Sequence, residues 1–268
     1  MIARLHHELV AGSSPRRWLA FLHGICGSGA NLRGVARRVV SRRPDWGIAL
    51  VDLRGHGRSD DGAPPHTLEA CAADVLAVSL PGELAAIAGH SFGGKVAMLA
   101  RRHRPVAQTW VLDASPSARP RGLGEGSQVA ALLATMATLP RAWPTRDAYI
   151  AAIVADGHAL PLAQWLAMSL RDAGDGSGLV SRLDLAQIRA LLADYDACDA
   201  WDAIALPGDV EVIAATRGSA LDISDLVRLE AMANVHVHRV AAGHWVHVDA
   251  PDAVVDLLAT KLAGSEDS

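Results

Sequence analysis

The stretch Ile87-Ala88-Gly89-His90-Ser91-Phe92-Gly93-Gly94-Lys95 constrains this chain more than any other. An apolar run, Leu84 to Ala88, leads into Gly-x-Ser-x-Gly, and a helix-like run, Lys95 to Arg102, leads out of it. The order is strand, tight turn, helix, with a serine at the apex. Such a turn forces its central residue into a strained backbone and crowds the flanks, so Gly89 and Gly93 stand where a side chain would collide. The serine hydroxyl is then held clear of the sheet, close to the free N–H groups that open the helix. An ordinary loop with a capping serine would also contain these residue types. Only the strand before and the helix after make this one a candidate nucleophile turn.

The rest of the chain repeats the alternation. Trp18 to Leu22 is a short apolar run ending in His23-Gly24-Ile25-Cys26-Gly27-Ser28-Gly29, and Asn31 to Val40 has helical spacing. Trp46 to Leu53 is a second buried strand, ending in Asp52-Leu53-Arg54-Gly55-His56-Gly57-Arg58-Ser59. Thr67 caps a helix from Leu68 to about Leu80. Gln108 to Leu112 is a fourth strand, followed by Asp113. Strands return at Val210–Ala214 and Val235–Val240, helices at Ile223–Met232 and from Pro251 to Leu262. This predicts an α/β fold with a mainly parallel sheet flanked by helices, built from residues 1–116 and 207–268. Between them, 117–206 has no strand-like run and four helical stretches, Gln128–Leu139, Thr145–Ala155, Leu160–Arg171 and Leu183–Asp199. It reads as an inserted helical cap. Trp143, Tyr149, Trp165, Tyr195 and Trp201 lie in it, most of them expected to pack helices together and one or two to face a ligand.

Composition narrows the function classes. A net charge of −4 over 268 residues argues against a nucleic-acid partner. No apolar run approaches the ~18 residues of a membrane span, and Met1 to Val10 has no apolar signal core. The expectation is a soluble, cytoplasmic protein. Three cysteines, Cys26, Cys71 and Cys198, show no C-x-x-C spacing and read as free thiols. No metal and no organic cofactor is implied.

A serine hydroxyl needs a base within hydrogen-bond reach, and the base needs an orienting carboxylate. His244 follows a strand end and flexible Gly243, and is the candidate base; His247 is read as a surface histidine at the head of the last helix. Asp113 and Asp222 are the candidate acids, each in a loop after a strand. Asp222 comes late, beside Ile223 and Ser224, where helix capping explains it equally well, so Asp113 is preferred. The backbone N–H groups of Phe92 and Ile25 are the candidate oxyanion donors. His23 is expected to brace its loop, and Asp52, Arg54 and His56 to build a structural turn.

Together these motifs resemble the α/β-hydrolase superfamily over nearly the whole chain. Gly89 to Lys95 and Gly243-His244-Trp245-Val246-His247 are similar to the small bacterial carboxylesterases that share a G-H-S-x-G-G-K elbow and a G-H-W-[IV]-H loop. In that branch the acid can follow the strand after the elbow helix, which points to Asp113. The common G-x-x-D after the next strand is absent here, where Arg217-Gly218-Ser219 stands. Serine at 91, in place of aspartate, disfavours dehalogenase and epoxide hydrolase chemistry. The resemblance implies a serine hydrolase of small carboxylic esters or thioesters, its partner a small acyl substrate. A ligand-binding receptor on the same scaffold, and cofactor-free lyase or perhydrolase chemistry, are the alternatives. Oligomeric state and physiological substrate are not legible in the sequence.

Overall fold

The computed structural model describes residues 1–119 and 128–264. Its first half runs β1 (His7–Ala11), β2 (Arg17–Leu22), α1 (Arg33–Arg42), β3 (Trp46–Val51), α2 (Leu68–Leu76), β4 (Glu83–His90), α3 (Phe92–Ala100) and β5 (Gln108–Leu112). After an excursion the pattern resumes with α8 (Trp201–Ile204), β9 (Asp209–Ala215), α9 (Ile223–Glu230), β10 (Val235–Val240), α10 (Val246–Asp249) and α11 (Pro251–Lys261). These seven strands form one sheet in the order β1-β3-β2-β4-β5-β9-β10. All neighbours are parallel except β1, which pairs antiparallel with β3.

Parallel strands buried on both faces must be apolar along their whole length. β3, Trp-Gly-Ile-Ala-Leu-Val, has all six residues buried. In β2, Leu19 and Phe21 point to the side covered by α1 and α11, and Ala20 and Leu22 to the side covered by α2 and α3. β1 was not expected from the sequence. It is a half-exposed edge strand whose Leu9 is 42% exposed, so it lacks the apolar run that marked the others.

The excursion holds α4 (Gln128–Thr138), α5 (Arg146–Ala155), α6 (Leu160–Ala167) and α7 (Leu185–Ala197). Thr145 and Asp184 cap α5 and α7 by accepting from Ala148 N–H and Ala186 N–H. The helices share a core of their own, with Tyr149, Ile153, Leu166, Ile188 and Leu192 at its centre. The all-helical reading needs correction. Ala142–Trp143 (β6), Arg171–Asp172 (β7) and Leu179–Val180 (β8) form a small antiparallel sheet. Two-residue strands have no period to read, and only the folded chain pairs them.

Candidate active site

Every candidate residue sits at the C-terminal edge of the sheet, where the loops of a parallel sheet converge. Ser91 directly follows β4, with φ of 52° and ψ of −115°, a conformation that L residues rarely adopt. It persists because the neighbourhood allows no alternative. Ser91 N–H is tied to Leu112 C=O at 2.9 Å, and Gly94 N–H to Ser91 C=O at 2.9 Å. A Cβ on Gly89 would collide with the Gly93 carbonyl, and one on Gly93 would lie 2.5 Å from His23 C=O. The two glycines let β2, β4 and α3 meet closely enough to present the serine.

Asp113 directly follows β5 and is also held at positive φ, 50°. Its backbone N–H donates to Ile213 C=O at 2.8 Å. Its carboxylate, fully buried, accepts from Ala215 N–H and Ala220 N–H, both at 2.9 Å, from the Ser219 hydroxyl, and from His244. Burial works to raise this carboxyl, but the hydrogen bonds from His244, Ser219, Ala220 and Ala215 together outweigh it and hold the group below its ordinary value.

His244 lies between the two. Its Nδ1 is 2.7 Å from Asp113 Oδ2 and its Nε2 is 3.0 Å from Ser91 Oγ. An ionised carboxylate can only accept, so Nδ1 carries the proton and Nε2 is left to accept from the serine hydroxyl. Asp222 is not part of this arrangement. It caps α9, accepting from Asp225 N–H at 2.8 Å, while Ser224 donates to it. Ser219, which stands in the departure from the common motif, instead reaches back to Asp113.

The amide of Ile25 follows β2, and the amide of Phe92 opens α3, whose first turn leaves N–H groups without intrahelical partners. Both residues flank the serine, and Gly24, Ile25, His90, Ser91 and His244 line one small cavity with Trp165 and Trp245. Of the five aromatics in the excursion, Trp165 therefore faces the serine. Trp143 and Tyr149 pack edge to face, Tyr195 stacks on Phe92, and Trp201 donates to Ser117 Oγ at 3.0 Å.

The surrounding polar residues are structural. His23 accepts from Leu53 N–H at 3.0 Å, and His56 accepts from Cys26 N–H at 3.1 Å. Asp52 accepts from Gly29 N–H at 2.7 Å and Arg58 N–H at 2.8 Å. Arg54 pairs with Asp74 at 2.6 Å in a fully buried ion pair. Together they lock the loops after β2 and β3 into one unit. His247 is a correction: it is buried, 5% exposed, with its ring 4.5 Å from that of His90. The short helix α10 turns it inward, where the sequence pattern had suggested a surface position at the head of the last helix. Burial and the nearby His244 push its imidazole down to about 4.

Two residues were missed. His90, buried against His247 and His244, donates from Nε2 to His244 C=O at 2.9 Å and anchors the loop that carries His244. Lys95 is 1% exposed and donates to the carbonyls of Ser117, Tyr195 and Cys198 at 2.9, 2.9 and 3.0 Å, so it joins α3 to the end of α7. Its lying directly after Gly93-Gly94, in a chain with only two lysines, was the available signal. Among the described residues no group of three or more His, Cys, Asp or Glu is arranged to hold a metal ion. No described helix is long and apolar enough to cross a membrane.

The model of the alpha/beta hydrolase family matches residues 19–257, from within β2 to within α11. The chain belongs to the alpha/beta hydrolase family. Among known alpha/beta hydrolases it is 28% identical over 276 residues to an sn-1-specific diacylglycerol lipase of Mus musculus, an alignment covering 97% of this chain and 85% of the relative. A lipase of Mycobacterium tuberculosis is 37% identical over 118 residues, 42% of each chain. Among solved structures a marine microorganism esterase superposes with a TM-score of 0.80 at 21% identity, over 95% of this chain and 97% of the other. That last likeness is one of fold.

Proposed function

We propose that this alpha/beta hydrolase cleaves small carboxylic esters or thioesters through an acyl-enzyme on Ser91, with His244 as general base and Asp113 as its orienting acid. The observation that carries the proposal is the position of His244, 2.7 Å from the buried Asp113 carboxylate and 3.0 Å from Ser91 Oγ. Ser91 Oγ attacks the carbonyl carbon as its proton passes to His244 Nε2. The negative charge that develops on the carbonyl oxygen meets the N–H groups of Ile25 and Phe92, which are held by the backbone and need no reorganisation. As the C–O or C–S bond to the leaving group breaks, His244 returns the proton to it. Water, deprotonated by His244 in turn, then releases the acid and restores the serine. The ionised Asp113 stabilises the imidazolium in both halves and keeps its proton on Nδ1.

The names of two relatives, a diacylglycerol lipase and a lipase, support carboxylic ester chemistry. The decisive experiment is reaction of the intact protein with a fluorophosphonate, read by mass spectrometry. A single adduct on Ser91, lost in His244→Ala, is expected, together with turnover of a short-chain p-nitrophenyl ester that disappears in Ser91→Ala. Absence of any adduct would mean an inactive serine and would favour a ligand-binding receptor on this scaffold.

A further inference from the structure

We infer that the substrates have two unequal limbs, a small acyl group and a larger, mostly apolar alcohol or thiol limb, and that Trp165 and Trp245 set this division. The inference rests on the hydrolytic mechanism above and names the substrate class for it. The cavity over Ser91 has a volume of about 50 Å³. A cavity needs about 10–15 Å³ of such space to hold one water, so this one admits only a few heavy atoms. Beyond Leu162, Trp165 and Trp245, which line both spaces, lies a cleft of about 910 Å³ between α4, α6 and α10. That is within the range of about 300–1,000 Å³ in which pockets take up whole ligands.

The wall between them is built by packing. Trp165 and Trp245 meet edge to face with centroids 4.7 Å apart. Trp165 can reach this position because residue 27 is glycine; a Cβ there would lie 2.5 Å from its ring. The indole N–H of Trp165 is buried without a partner among the described residues, so packing rather than a hydrogen bond holds the ring.

Proton transfer decides which limb goes where. His244 Nε2 must hand the serine proton to the leaving oxygen or sulfur, so the leaving limb departs on the His244 side of the carbonyl. His244 itself lines the small cavity; Trp245, next in the chain, lines both spaces, and Val248 and Asp249 after it carry the wall on into the large cleft. The alcohol limb is therefore directed into the cleft, and the acyl limb is left with the small cavity. The polar groups of the cleft satisfy one another. The Thr135 hydroxyl donates to Asp156 and accepts from His158 Nε2 at 2.8 Å, and Asp249 accepts from Gly243 N–H. The Asp156 and Asp249 carboxylates already have donors, so the limb need supply none, and with no Lys or Arg among the described lining residues the cleft disfavours an anionic limb.

Octyl acetate and ethyl octanoate test this directly, because they are isomers that differ only in which limb is long. Wild-type kcat/KM, followed by acid release, should favour octyl acetate by at least about tenfold, the discrimination a few misplaced methylenes give. Trp165→Ala should cut the ratio below about threefold by raising turnover of ethyl octanoate. Leu162→Ala, which opens the same wall with less loss of packing, serves if the tryptophan variant does not fold. Equal or reversed preference in the wild type overturns the inference, and so does an unchanged ratio in the variants that fold. Fluorophosphonate labelling is run alongside. Labelled Ser91 with neither ester turned over, or with the wrong preference, sinks the division of limbs alone. An unlabelled serine with no turnover sinks the mechanism beneath it.

Discussion

Mild acid should destabilise this protein, because the scaffold of its candidate active site is built on neutral, buried histidines. Burial pushes the imidazoles of His23 and His247 down to about 4, and burial next to His23 pushes that of His56 down to about 3. His90, buried against His247 and His244, is displaced in the same direction. In the unfolded chain each titrates near 6.5. Between pH 6.5 and about 4 the unfolded chain therefore takes up protons that the native state refuses, and stability falls as pH falls. At about 1.4 kcal/mol per pH unit, the loss from pH 7 to pH 5 is about 2 kcal/mol per histidine. For His23, His56 and His247 together the ceiling is about 6 kcal/mol, comparable with the whole stability of a typical domain, about 5–15 kcal/mol. The sum is a ceiling because any proton that the native state accepts within this interval reduces it. Asp113, held below its ordinary value of 3.8, acts in the same direction, but only at pH values beneath that window. Urea denaturation followed by tryptophan fluorescence at pH 7 and pH 5 measures the effect as a lowered midpoint at constant slope. His247→Leu should lose about 2 kcal/mol less than the wild type over the same interval. Equal midpoints at the two pH values, or a His247→Leu variant as acid-sensitive as the wild type, would refute the reasoning.

Further tests separate the roles of the other residues. Asp113→Asn should lower kcat by about 10³- to 10⁴-fold with little change in KM, since an amide no longer holds the His244 proton on Nδ1. Asp222→Ala should leave steady-state kinetics unchanged and lower stability by about 1 kcal/mol, the cost of a lost helix cap; a large fall in kcat would return Asp222 to the site. Lys95→Met leaves three partly buried carbonyls without this donor and should destabilise by about 1–3 kcal/mol, seen as a lowered Tm, and unaltered thermal stability would contradict it. Gly93→Ala places a methyl 2.5 Å from the His23 carbonyl. It should cost about 3 kcal/mol or more, or abolish soluble expression, whereas a wild-type Tm would show that α3 can move aside.

What the sequence determined by itself was whatever depends on neighbours along the chain. The elbow is one such feature: β4, Ser91 and α3 are contiguous, and the crowding that demands Gly89 and Gly93 arises within a few residues. The central strands β2, β3 and β4 are another, because burial on both faces leaves an almost unbroken apolar run in each. Helix starts at Thr67 and Thr145 were visible for the same reason, as the capping side chain bonds an amide three residues on. Tertiary structure alone decided the rest. Asp113 and Asp222 both follow a strand, and the lateness of Asp222 made it only the second choice; the folded sheet brings Asp113 against His244 and leaves Asp222 at a helix end. The inward turn of His247, the three carbonyls on Lys95 and the pairing of β6, β7 and β8 join residues far apart in sequence, through contacts that no local period records. The division of space by Trp165 and Trp245 is of the same kind. It depends on the volume left between α4, α6 and α10, and a volume is a property of the packed chain, not of any stretch of it.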